Sequence, residues 1–484
     1  MTPSLAGAAR RVDDFCAVVP DAAPDTAIER GPACALYERD VLGQAGIAAC
    51  VLRPATRDDV GAILRLAHAH EIPLVAQGER TGLVGAAVPD GSGAQCVLSL
   101  SRLNRVIDVD PANRSVTVEA GMRLSALDRF LEPFGLHFPI DLGSDPSIGG
   151  LIATNAGGSR LVKHGDVRRG VLGLEAMLAD EHATRLDLLA PLRKNNVGPD
   201  LKQLFIGAGG ALGIVTAASL DLRQRERSSA TFFVALRDAP SCARALLAFE
   251  DAFGELLGAF EFIGGRTLAA VLETAPADRP PLPVVEGHCF ALVEAASAMA
   301  GLDAQLLERG TATLDSLLQA GVVCDAALGA ATDFWRLRDA IPIALAARGL
   351  PLSFDVSFAR PRLAPFLDEI EVWLAARHPR VECHVFGHFA DGGAHLVVLV
   401  PDAVREQQGP LKIAMLRAQI LRLVRARGGS ISAEHGIGPL NLAGYRTHIP
   451  AVARGLAGRL QDLLDPRGVL GRVRFDDTLP PPGT

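Results

Sequence analysis

The sequence predicts a protein of mixed helices and strands that is divided into two or three domains. Its 484 residues exceed what one typical hydrophobic core organises. In the first half, short strand-like runs are separated by turn signals and helical patterns. After the charged run 223–227, strand-like runs at 231–236, 289–293 and 395–400 alternate with long Ala- and Leu-rich helices. We therefore expect a domain boundary near residue 225.

The composition is that of an ordinary globular protein. Hydrophobic residues make up 49% of the chain and charged residues 21%, and the net charge of -7 argues against nucleic acid as a partner. The eight cysteines include no C-x-x-C pair, which favours unpaired thiols in a reducing compartment. Neither a signal-peptide pattern nor a run of about 18 apolar residues is present. We expect a cytoplasmic protein that is not transmembrane.

Local patterns predict the elements of the first half in chain order. Residues 1–50 are predicted as a helical lead-in, and the next helix should begin at a capping box formed by Thr56 and Asp59. The patterns that follow predict strands at 73–76 and 97–100, a hairpin of strands at 106–110 and 115–119, and an amphipathic helix at 124–134.

Three glycine-rich segments lie between residues 78 and 216, at 78–85, 141–158 and 204–216. Glycine lets backbone amides approach a ligand without a Cβ in the way, and successive amides in such loops bind anions such as pyrophosphate. One such loop is weak evidence, because turns are rich in glycine. Three of them suggest a long phosphate-bearing ligand. No segment carries the Rossmann or the P-loop pattern, so neither kind of site is supported.

Two separated motifs near the C-terminal end predict a metal site. His388 and His395 flank the turn 391–393 inside the apolar run 381–400, a pattern typical of strand, tight turn and strand. Facing positions on paired strands lie roughly 4.5–5.5 Å apart at Cβ, so two imidazoles there can converge on one ion.

The second motif, at residues 430–438, adds acidic and basic groups. Glu434 would supply a carboxylate to the two imidazoles, and two His with one carboxylate leave open positions on a metal, as in a catalytic site. His435 is then a candidate base. Gly429, Gly436 and Gly438 surround the pair, which indicates a backbone that approaches something closely.

These segments resemble flavoproteins of the vanillyl-alcohol oxidase and p-cresol methylhydroxylase superfamily, and within it the FAD-linked D-2-hydroxy acid dehydrogenases. Residues 78–85 are similar to that family's G-G-N-T-G-L-V-G loop. Residues 148–158 match its I-G-G-x-x-A-T-N-A-G-G almost letter for letter, and residues 204–216 resemble L-F-I-G-S-E-G-T-L-G-I-I-T. The hairpin and the run S-A-E-H-G-I-G match the end of the same family. The resemblance runs from about residue 40 to 475.

The resemblance implies an α+β fold, with a two-lobed FAD-binding domain of the p-cresol methylhydroxylase type and an α+β cap domain that has an antiparallel sheet. It implies four parts: a helical lead-in at 1–40, the FAD-binding domain at 41–225, a substrate and metal cap at 226–425, and a C-terminal segment at 426–484 that returns to the FAD domain and carries the Glu-His loop.

The resemblance also implies the cofactor and its contacts. FAD should be bound non-covalently, because the first glycine segment has no His where flavinylated relatives carry one. The residues implied in flavin binding are Gly78, Glu79, Arg80, Thr81, Gly82, Leu83, Gly85, Asp141, Ser144, Ser147, Ile148, Gly149, Gly150, Thr154, Asn155, Gly157, Gly158, Gly207, Gly213, Ile214 and Val215. The sequence departs from the family at Glu79-Arg80, Gly209 and Gly471, where Gly-Asn, Glu and Asn are usual.

The implied chemistry is the oxidation of a D-2-hydroxy acid. A divalent metal, with zinc favoured, would be held by His388, His395 and Glu434. His435 would take the hydroxyl proton as hydride passes to flavin N5, and Arg338 would bind the carboxylate. The electrons would pass to a separate acceptor, which could be an electron-transfer flavoprotein, a quinone or a cytochrome. A homodimer is consistent with this reading.

Three departures bear on the substrate. Pro342, Ser353 and Val397 occupy positions that are polar in D-2-hydroxyglutarate enzymes, so a D-lactate-like acid fits better than a dicarboxylate. The alternatives are a D-2-hydroxyglutarate dehydrogenase and an FAD oxidase of a related hydroxy acid or sugar acid. Two further alternatives lie outside that chemistry: a zinc-dependent hydrolase, and a non-catalytic FAD-binding subunit of a larger complex.

Overall fold

The computed structural model describes residues 5–274, 280–285 and 287–476. They form two compact units. The first unit takes 5–157, 166–224 and 434–476 of the described residues, and the second takes 158–165 and the described part of 225–433.

The strands are β1 (Ala27–Glu29), β2 (Ala48–Arg53), β3 (Leu74–Gln77), β4 (Gln95–Ser99), β5 (Val106–Asp110), β6 (Ser115–Glu119), β7 (Leu136–His137), β8 (Val171–Met177), β9 (Arg185–Leu188), β10 (Ile214–Asp221), β11 (Arg223–Gln224), β12 (Ser228–Leu236), β13 (Leu257–Gly264), β14 (Cys289–Ser297), β15 (Val323–Leu328), β16 (Leu350–Ser357), β17 (Glu382–His388) and β18 (Gly393–Val400).

The helices are α1 (Leu5–Ala22), α2 (Arg57–His70), α3 (Leu124–Leu131), α4 (Ile148–Thr154), α5 (Leu161–His164), α6 (Val167–Gly170), α7 (Ala239–Phe253), α8 (Gly265–Thr274), α9 (Asp303–Gln319), α10 (Ala331–Asp339), α11 (Ile341–Ala346), α12 (Arg360–Arg377), α13 (Asp402–Ala426), α14 (Gly438–His448) and α15 (Ala451–Leu464). None of the helices within the described residues is long and apolar enough to cross a bilayer.

The first unit contains a four-stranded sheet in the order β1-β2-β4-β3. Strand β4 runs parallel to β2 and β3, while β1 pairs antiparallel with β2. The predicted capping box is confirmed at the start of α2, where the side chains of Thr56 and Asp59 each accept a hydrogen bond from the other's backbone amide. This box satisfies two amides that a helix start otherwise leaves unpaired.

The prediction of a helical lead-in is only partly correct. Helix α1 covers Leu5–Ala22, and residues Gly31–Tyr37 form a 3-10 turn. However, β1 and β2 are strands, so the prediction is wrong for Ala27–Glu29 and for residues 48–50. These residues extend because they pair with each other and with β4, a long-range interaction that local helical preference does not reveal.

The first unit also contains a five-stranded antiparallel sheet in the order β5-β6-β10-β8-β9. One hydrophobic cluster includes side chains from the four-stranded and the five-stranded sheet, and the C-terminal segment contributes Val469 and Leu470 to it. The amide of Leu74 donates to the carbonyl of Val469, and the amide of Gly471 donates to the carbonyl of Leu74. The end of the described chain is thereby built into the edge of β3.

The second unit is built on a seven-stranded antiparallel sheet in the order β15-β12-β14-β13-β17-β18-β16. One face carries a cluster that includes Phe232 and Leu396, and the other carries a cluster that includes Phe233 and Phe386. The strand, turn and strand predicted at 381–400 are confirmed as β17 and β18, joined through a short 3-10 turn. The antiparallel sheet of the predicted α+β cap is therefore present.

The edge of this sheet at β16 is paired with a segment from near the C-terminal end. Ser430 forms a bridge with Ser357, its amide donating to the Ser357 carbonyl. The amide of Ala433 donates to the carbonyl of Asp355 at 3.2 Å. Residues 430–433 therefore lie along an edge whose amides and carbonyls would otherwise be unpaired.

Candidate active site

The first two glycine segments meet at the start of α4 in the first unit. Ser147 caps this helix, since its Oγ accepts a hydrogen bond from the amide of Gly150. A Cβ added at Gly78 would lie 2.1 Å from that oxygen, far inside van der Waals contact. Glycine at position 78 is therefore required for the first segment to approach the helix cap.

The third glycine segment is bonded to the other end of α4. The amide of Gly207 donates to the carbonyl of Ile152 at 3.0 Å, and the amide of Gly209 donates to the carbonyl of Ala153 at 2.7 Å. These carbonyls belong to the last turn of α4, where helical partners run out. All three predicted segments are thus brought together around one short helix.

The first segment presents its amides in a form that suits an anion. Within the described residues, no protein group accepts a hydrogen bond from the backbone amides of residues 78–85. These residues are partly or fully buried, so the amides would be costly to leave unsatisfied. A pyrophosphate would satisfy several of them at once, and the residues present therefore fit FAD.

The polar side chains of the segments are largely used within the protein. Asn155 ends α4 with φ +50°, its amide group donating to Asp166 and accepting from the backbone of Arg168. Thr154 donates to a carbonyl of its own helix. Glu79 pairs with Arg123. These contacts hold the segments in shape, and they are contacts that the sequence patterns did not indicate.

The other residues predicted to contact the flavin occupy different surroundings. Arg80 has φ +59° and lies over the ring of Tyr37, at the position where the family usually has Asn. Asp141 and Ser144 are exposed, whereas Ile214 and Val215 are buried at the start of β10. The remaining predicted residues lie in or beside the segments described above: Thr81, Gly82, Leu83, Gly85, Ile148, Gly149, Gly157, Gly158 and Gly213.

The Glu-His loop contacts the first glycine segment inside the first unit. A Cβ added at Gly438 would lie 2.4 Å from a methyl carbon of Val84, and the amide of Leu440 donates to the Val84 carbonyl. Asn441 donates to the carbonyl of Gly436, which closes the loop that carries His435. The close approach predicted from the surrounding glycines is therefore made to the segment with the unpaired amides.

The two histidines of the hairpin lie together in the second unit. The centroids of the His388 and His395 rings are 5.4 Å apart, and each ring offers a nitrogen within 4.8 Å of one on the other ring. They are not direct partners across the hairpin, since His395 pairs with Phe386, and His388 pairs with Glu261 on β13. Gly387 brings them together: it has φ +125°, and a Cβ there would lie 3.0 Å from the His395 ring.

Each imidazole faces a buried carboxylate. Nδ1 of His388 lies 2.5 Å from Oε1 of Glu261, and Nδ1 of His395 lies 3.7 Å from Oδ1 of Asp355. A carboxylate at Nδ1 favours a proton on that nitrogen and leaves Nε2 as a metal ligand. The two rings therefore fit a divalent cation. Glu261 itself is not a candidate ligand, because one of its oxygens faces His388 and the other accepts a hydrogen bond from Arg338.

Glu434 is the first residue of the C-terminal part of the first unit. It follows Ala433, whose amide is bonded to the carbonyl of Asp355, the strand partner of His395.

Arg338 projects from α10 onto the face of the sheet that carries the histidines. Its Nε donates to Oε2 of Glu261 at 2.9 Å, and its guanidinium also lies 3.7 Å from Asp339 and over the ring of Phe386. Although burial alone raises the pKa of the Glu261 carboxyl, His388 and Arg338 hold it well below its usual range. The Glu261 carboxylate is therefore ionised, and its two oxygens face His388 and Arg338.

Sequence reasoning missed four buried titratable residues on this face: Glu261, Glu294, Asp355 and His384. Glu294 accepts two hydrogen bonds from Arg160 and one from the indole of Trp335. His384 is fully buried. The available signal was a charged or polar residue inside an otherwise apolar strand, as in the runs L-G-A-F-E-F-I-G and C-F-A-L-V-E-A-A-S.

Two protein families match the chain. Residues 48–187 match the FAD binding domain family, and residues 225–473 match the C-terminal domain of FAD linked oxidases. The D-2-hydroxyglutarate dehydrogenase, mitochondrial, of Rattus norvegicus is 34% identical over 445 residues, which cover 90% of this chain and 79% of that protein. The D-2-hydroxyglutarate dehydrogenase of Stutzerimonas stutzeri is 32% identical over 396 residues, covering 80% and 82%.

The fold also resembles a solved structure of distant sequence. An alkyldihydroxyacetonephosphate synthase superposes with a TM-score of 0.68 at 13% identity, over 95% of this chain and 84% of that one. The TM-score of 0.68 indicates a common fold, and at this identity the likeness shows no more than the fold. The predicted architecture of an FAD-binding domain with an α+β cap is consistent with this resemblance and with the two families.

Proposed function

The chain belongs to the FAD-linked oxidases, among the FAD-dependent D-2-hydroxy acid dehydrogenases, and from this premise we propose that it oxidises a D-2-hydroxy acid with a small or apolar side chain to the 2-oxo acid. FAD, bound non-covalently, would accept the hydride. The cation would be held by His388, His395 and Glu434, with zinc favoured by two imidazoles and a carboxylate. Such a cation lowers the pKa of a coordinated hydroxyl.

His435 is proposed as the base that takes the hydroxyl proton. It lies in the loop closed by Asn441 and follows the proposed ligand Glu434 directly. Replacement of His435 by Asn should leave flavin and metal content unchanged and slow flavin reduction on the order of 10²–10⁴-fold, the usual range for loss of a general base. Wild-type reduction in that variant would place the base elsewhere.

The choice of substrate is carried by a row of side chains beside His395. Val397 lies two residues further along β18, aligned with Ser353 on β16 and His384 on β17. It is buried in the apolar cluster that includes Phe386. Val397 at the centre of this row suits a methyl or alkyl substituent, whereas a second carboxylate buried there without a cationic partner would cost several kcal/mol.

D-2-hydroxyglutarate is the second candidate substrate. The relatives from rat and from Stutzerimonas stutzeri carry that name. One structural observation supports it: Arg348 lies 3.5 Å from Glu382, which in turn lies 3.2 Å from His384 in the same row. The Arg348 guanidinium is therefore separated from the row of Val397, Ser353 and His384 by a single carboxylate, that of Glu382.

The test is anaerobic mixing of the purified yellow protein with single acids, while flavin absorbance is followed. D-lactate and D-2-hydroxybutyrate should bleach the flavin with a kcat/KM at least on the order of tenfold above that of D-2-hydroxyglutarate, about 1.4 kcal/mol, and L-lactate should be poor. Ser353→Lys should narrow the difference. Preference for D-2-hydroxyglutarate would select the second candidate, and no bleaching by any acid would overturn the proposal.

The electron acceptor, the oligomeric state and the cellular location stay predictions. A separate acceptor protein or quinone is proposed because the reduced flavin must be reoxidised, and dye-linked turnover would measure that half-reaction. The rat relative is named as mitochondrial, whereas the cytoplasmic location predicted for this chain rests on sequence patterns alone.

A further inference from the structure

One buried carboxylate connects the two functional side chains of the cap. Glu261 lies on β13 and is 1% exposed. Its strand partner is His388, and the His388 Nδ1 lies 2.5 Å from its Oε1. Because β13 and β17 are adjacent in the sheet, this contact is set by strand register and not by a flexible loop.

The second oxygen of Glu261 is held by Arg338. The Nε of Arg338 donates to Oε2 at 2.9 Å, and the guanidinium is itself largely buried. Arg338 comes from α10, one helical turn beyond Trp335, whose indole donates to Glu294 on the neighbouring strand. Helix α10 is thus attached to the sheet at two carboxylates.

We propose that Glu261 is a positioning residue for the metal site, which fixes the tautomer and orientation of His388 while Arg338 fixes Glu261. With the Nδ1 proton of His388 directed at Glu261, Nε2 carries the lone pair for the cation. This inference rests on the proposed function, because it takes His388 as a metal ligand. It assigns a role to a residue that binds neither cation nor substrate.

A carboxylate is required at position 261 because two donors converge on it. Each oxygen of Glu261 accepts one hydrogen bond, from His388 and from Arg338. A glutamine has one acceptor oxygen and one donor nitrogen, so one of the two donors would face an NH₂ group. Glu261→Gln therefore preserves size and removes the arrangement that orients the imidazole.

Glu294 provides a matched control on the same face. It is also buried, it also lies on a central strand, and its two oxygens also accept donors, from Arg160 and from Trp335. Glu294→Gln should disturb the contacts of one buried carboxylate to a degree similar to Glu261→Gln. The donors to Glu294 are Arg160 and Trp335, and neither is a histidine of the hairpin.

The experiment measures cation affinity directly. The flavin-loaded protein is stripped of divalent cations with EDTA and titrated with Zn²⁺ in competition with a chromophoric chelator. Glu261→Gln should raise the Zn²⁺ dissociation constant by about 10–100-fold, the usual effect of losing a partner of a metal-bound His. Glu294→Gln should stay within about threefold of wild type, because the hydrogen bonds described for Glu294 come from Arg160 and Trp335. Flavin content and the thermal midpoint of each variant report its folding.

The outcomes separate this inference from the proposed function. If wild type and His388→Ala bind Zn²⁺ equally, the metal site of the proposed function is wrong. If His388→Ala loses Zn²⁺ but Glu261→Gln retains wild-type affinity, or weakens no more than Glu294→Gln, the positioning role is overturned while the metal site stands. Should Glu261→Gln not fold, Glu261→Asp, one methylene shorter with both acceptors kept, should show the same loss of affinity.

Discussion

Buried polar side chains on one face of the seven-stranded sheet are satisfied in different ways. Glu261 and Glu294 each have a guanidinium partner, as an ionised group away from water requires. His384 is different. Its Nε2 lies 3.2 Å from Glu382, while its Nδ1 has no hydrogen-bond partner within the part of the chain that the structure describes. Burial lowers the pKa of His384, although Glu382 acts in the opposite direction.

This lowered pKa predicts how stability changes with pH. The folded state resists protonation of His384, whereas the unfolded state binds the proton near the ordinary pKa of 6.5. Stability should therefore fall as pH drops below that value, and continue to fall until the pH passes the folded pKa. His384→Leu should remove this part of the dependence, by at most about 1.4 kcal/mol per pH unit, the value for one proton.

The measurement is the thermal midpoint of wild type and of His384→Leu at a series of pH values between neutral and mildly acidic. Parallel curves for the two proteins would show that His384 is protonated equally in the folded and unfolded states. If the thermal midpoint falls more steeply with decreasing pH in His384→Leu than in wild type, the folded-state pKa of His384 is raised and not lowered. The attraction of Glu382 would then outweigh the effect of burial.

The alternation of strand β17 places its polar residues on one face. His384, Phe386 and His388 point to the side of the second apolar cluster, while Cys383 and Val385 belong to the opposite cluster. Gly387 interrupts the strand with φ +125° and leaves room for the ring of His395. The hairpin therefore needs both strand alternation and one glycine to bring its histidines together.

Gly387→Ala should displace His395. A Cβ at this position would lie 3.0 Å from the ring carbon of His395 and would also strain the backbone. We expect divalent metal content to fall while flavin content stays at the wild-type level, because the glycine segments belong to the other unit. Elemental analysis and the visible spectrum of the same sample measure both. Loss of flavin together with metal would indicate misfolding and not a local effect.

The packing of the first glycine segment against α4 predicts that alanine at Gly78 lowers stability, whereas alanine at Gly82 weakens FAD binding. A Cβ at Gly78 would collide with Oγ of Ser147, whereas a Cβ at Gly82 would meet no protein atom within 4 Å. Gly78→Ala should cost about 1 kcal/mol or more in stability through the lost helix cap. Gly82→Ala should leave stability unchanged and weaken FAD binding on the order of tenfold, about 1.4 kcal/mol, by occupying space at the cofactor.

Thermal denaturation without added FAD, and titration of the apoprotein with FAD, distinguish the two variants. The double change Gly78→Ala with Ser147→Gly should recover part of the lost stability, since the colliding oxygen is removed and glycine at an N-cap costs only a few tenths of a kcal/mol. Equal FAD affinity for Gly82→Ala and wild type would place the cofactor away from residue 82.

The whole molecule has separate hydrophobic clusters in its two units. Each unit thus has its own core, which is what allows a part of a chain to unfold by its own transition. The two tryptophans, Trp335 and Trp373, are both in the second unit. The three glycine segments are in the first, apart from Gly158.

This distribution predicts two separable unfolding signals. Flavin release should report the first unit, and tryptophan fluorescence should report the second. Added FAD at about 100 times its dissociation constant should stabilise the first unit by about 2.7 kcal/mol, raising the flavin transition on the order of 5–10 °C. The tryptophan transition should not move. If both shift together, the units unfold cooperatively, and Gly82→Ala should reduce the shift in either case.

Much of the candidate site could be predicted from short runs of sequence. The glycine segments, the capping box of α2 and the hairpin at 381–400 have local causes: positive φ, backbone access and turn chemistry operate over a few residues. The family resemblance rests on the same runs, and the matches to FAD-binding and FAD-linked oxidase families confirm it.

Other features depend on residues far apart in the chain, and short runs of sequence did not specify them. Local pattern indicated a helical lead-in where pairing between β1, β2 and β4 makes strands. The two histidines meet although they are not strand partners, because Gly387 has φ +125° and leaves room for the His395 ring. Glu261, 127 residues away, pairs with His388 from the neighbouring strand β13. Because Glu261 and His384 are buried, their pKa values depend on the few charged groups that face them. A sequence records that a strand contains a polar residue, but which charge faces it in the absence of water depends on sheet order and register, and these arise only when distant strands come together.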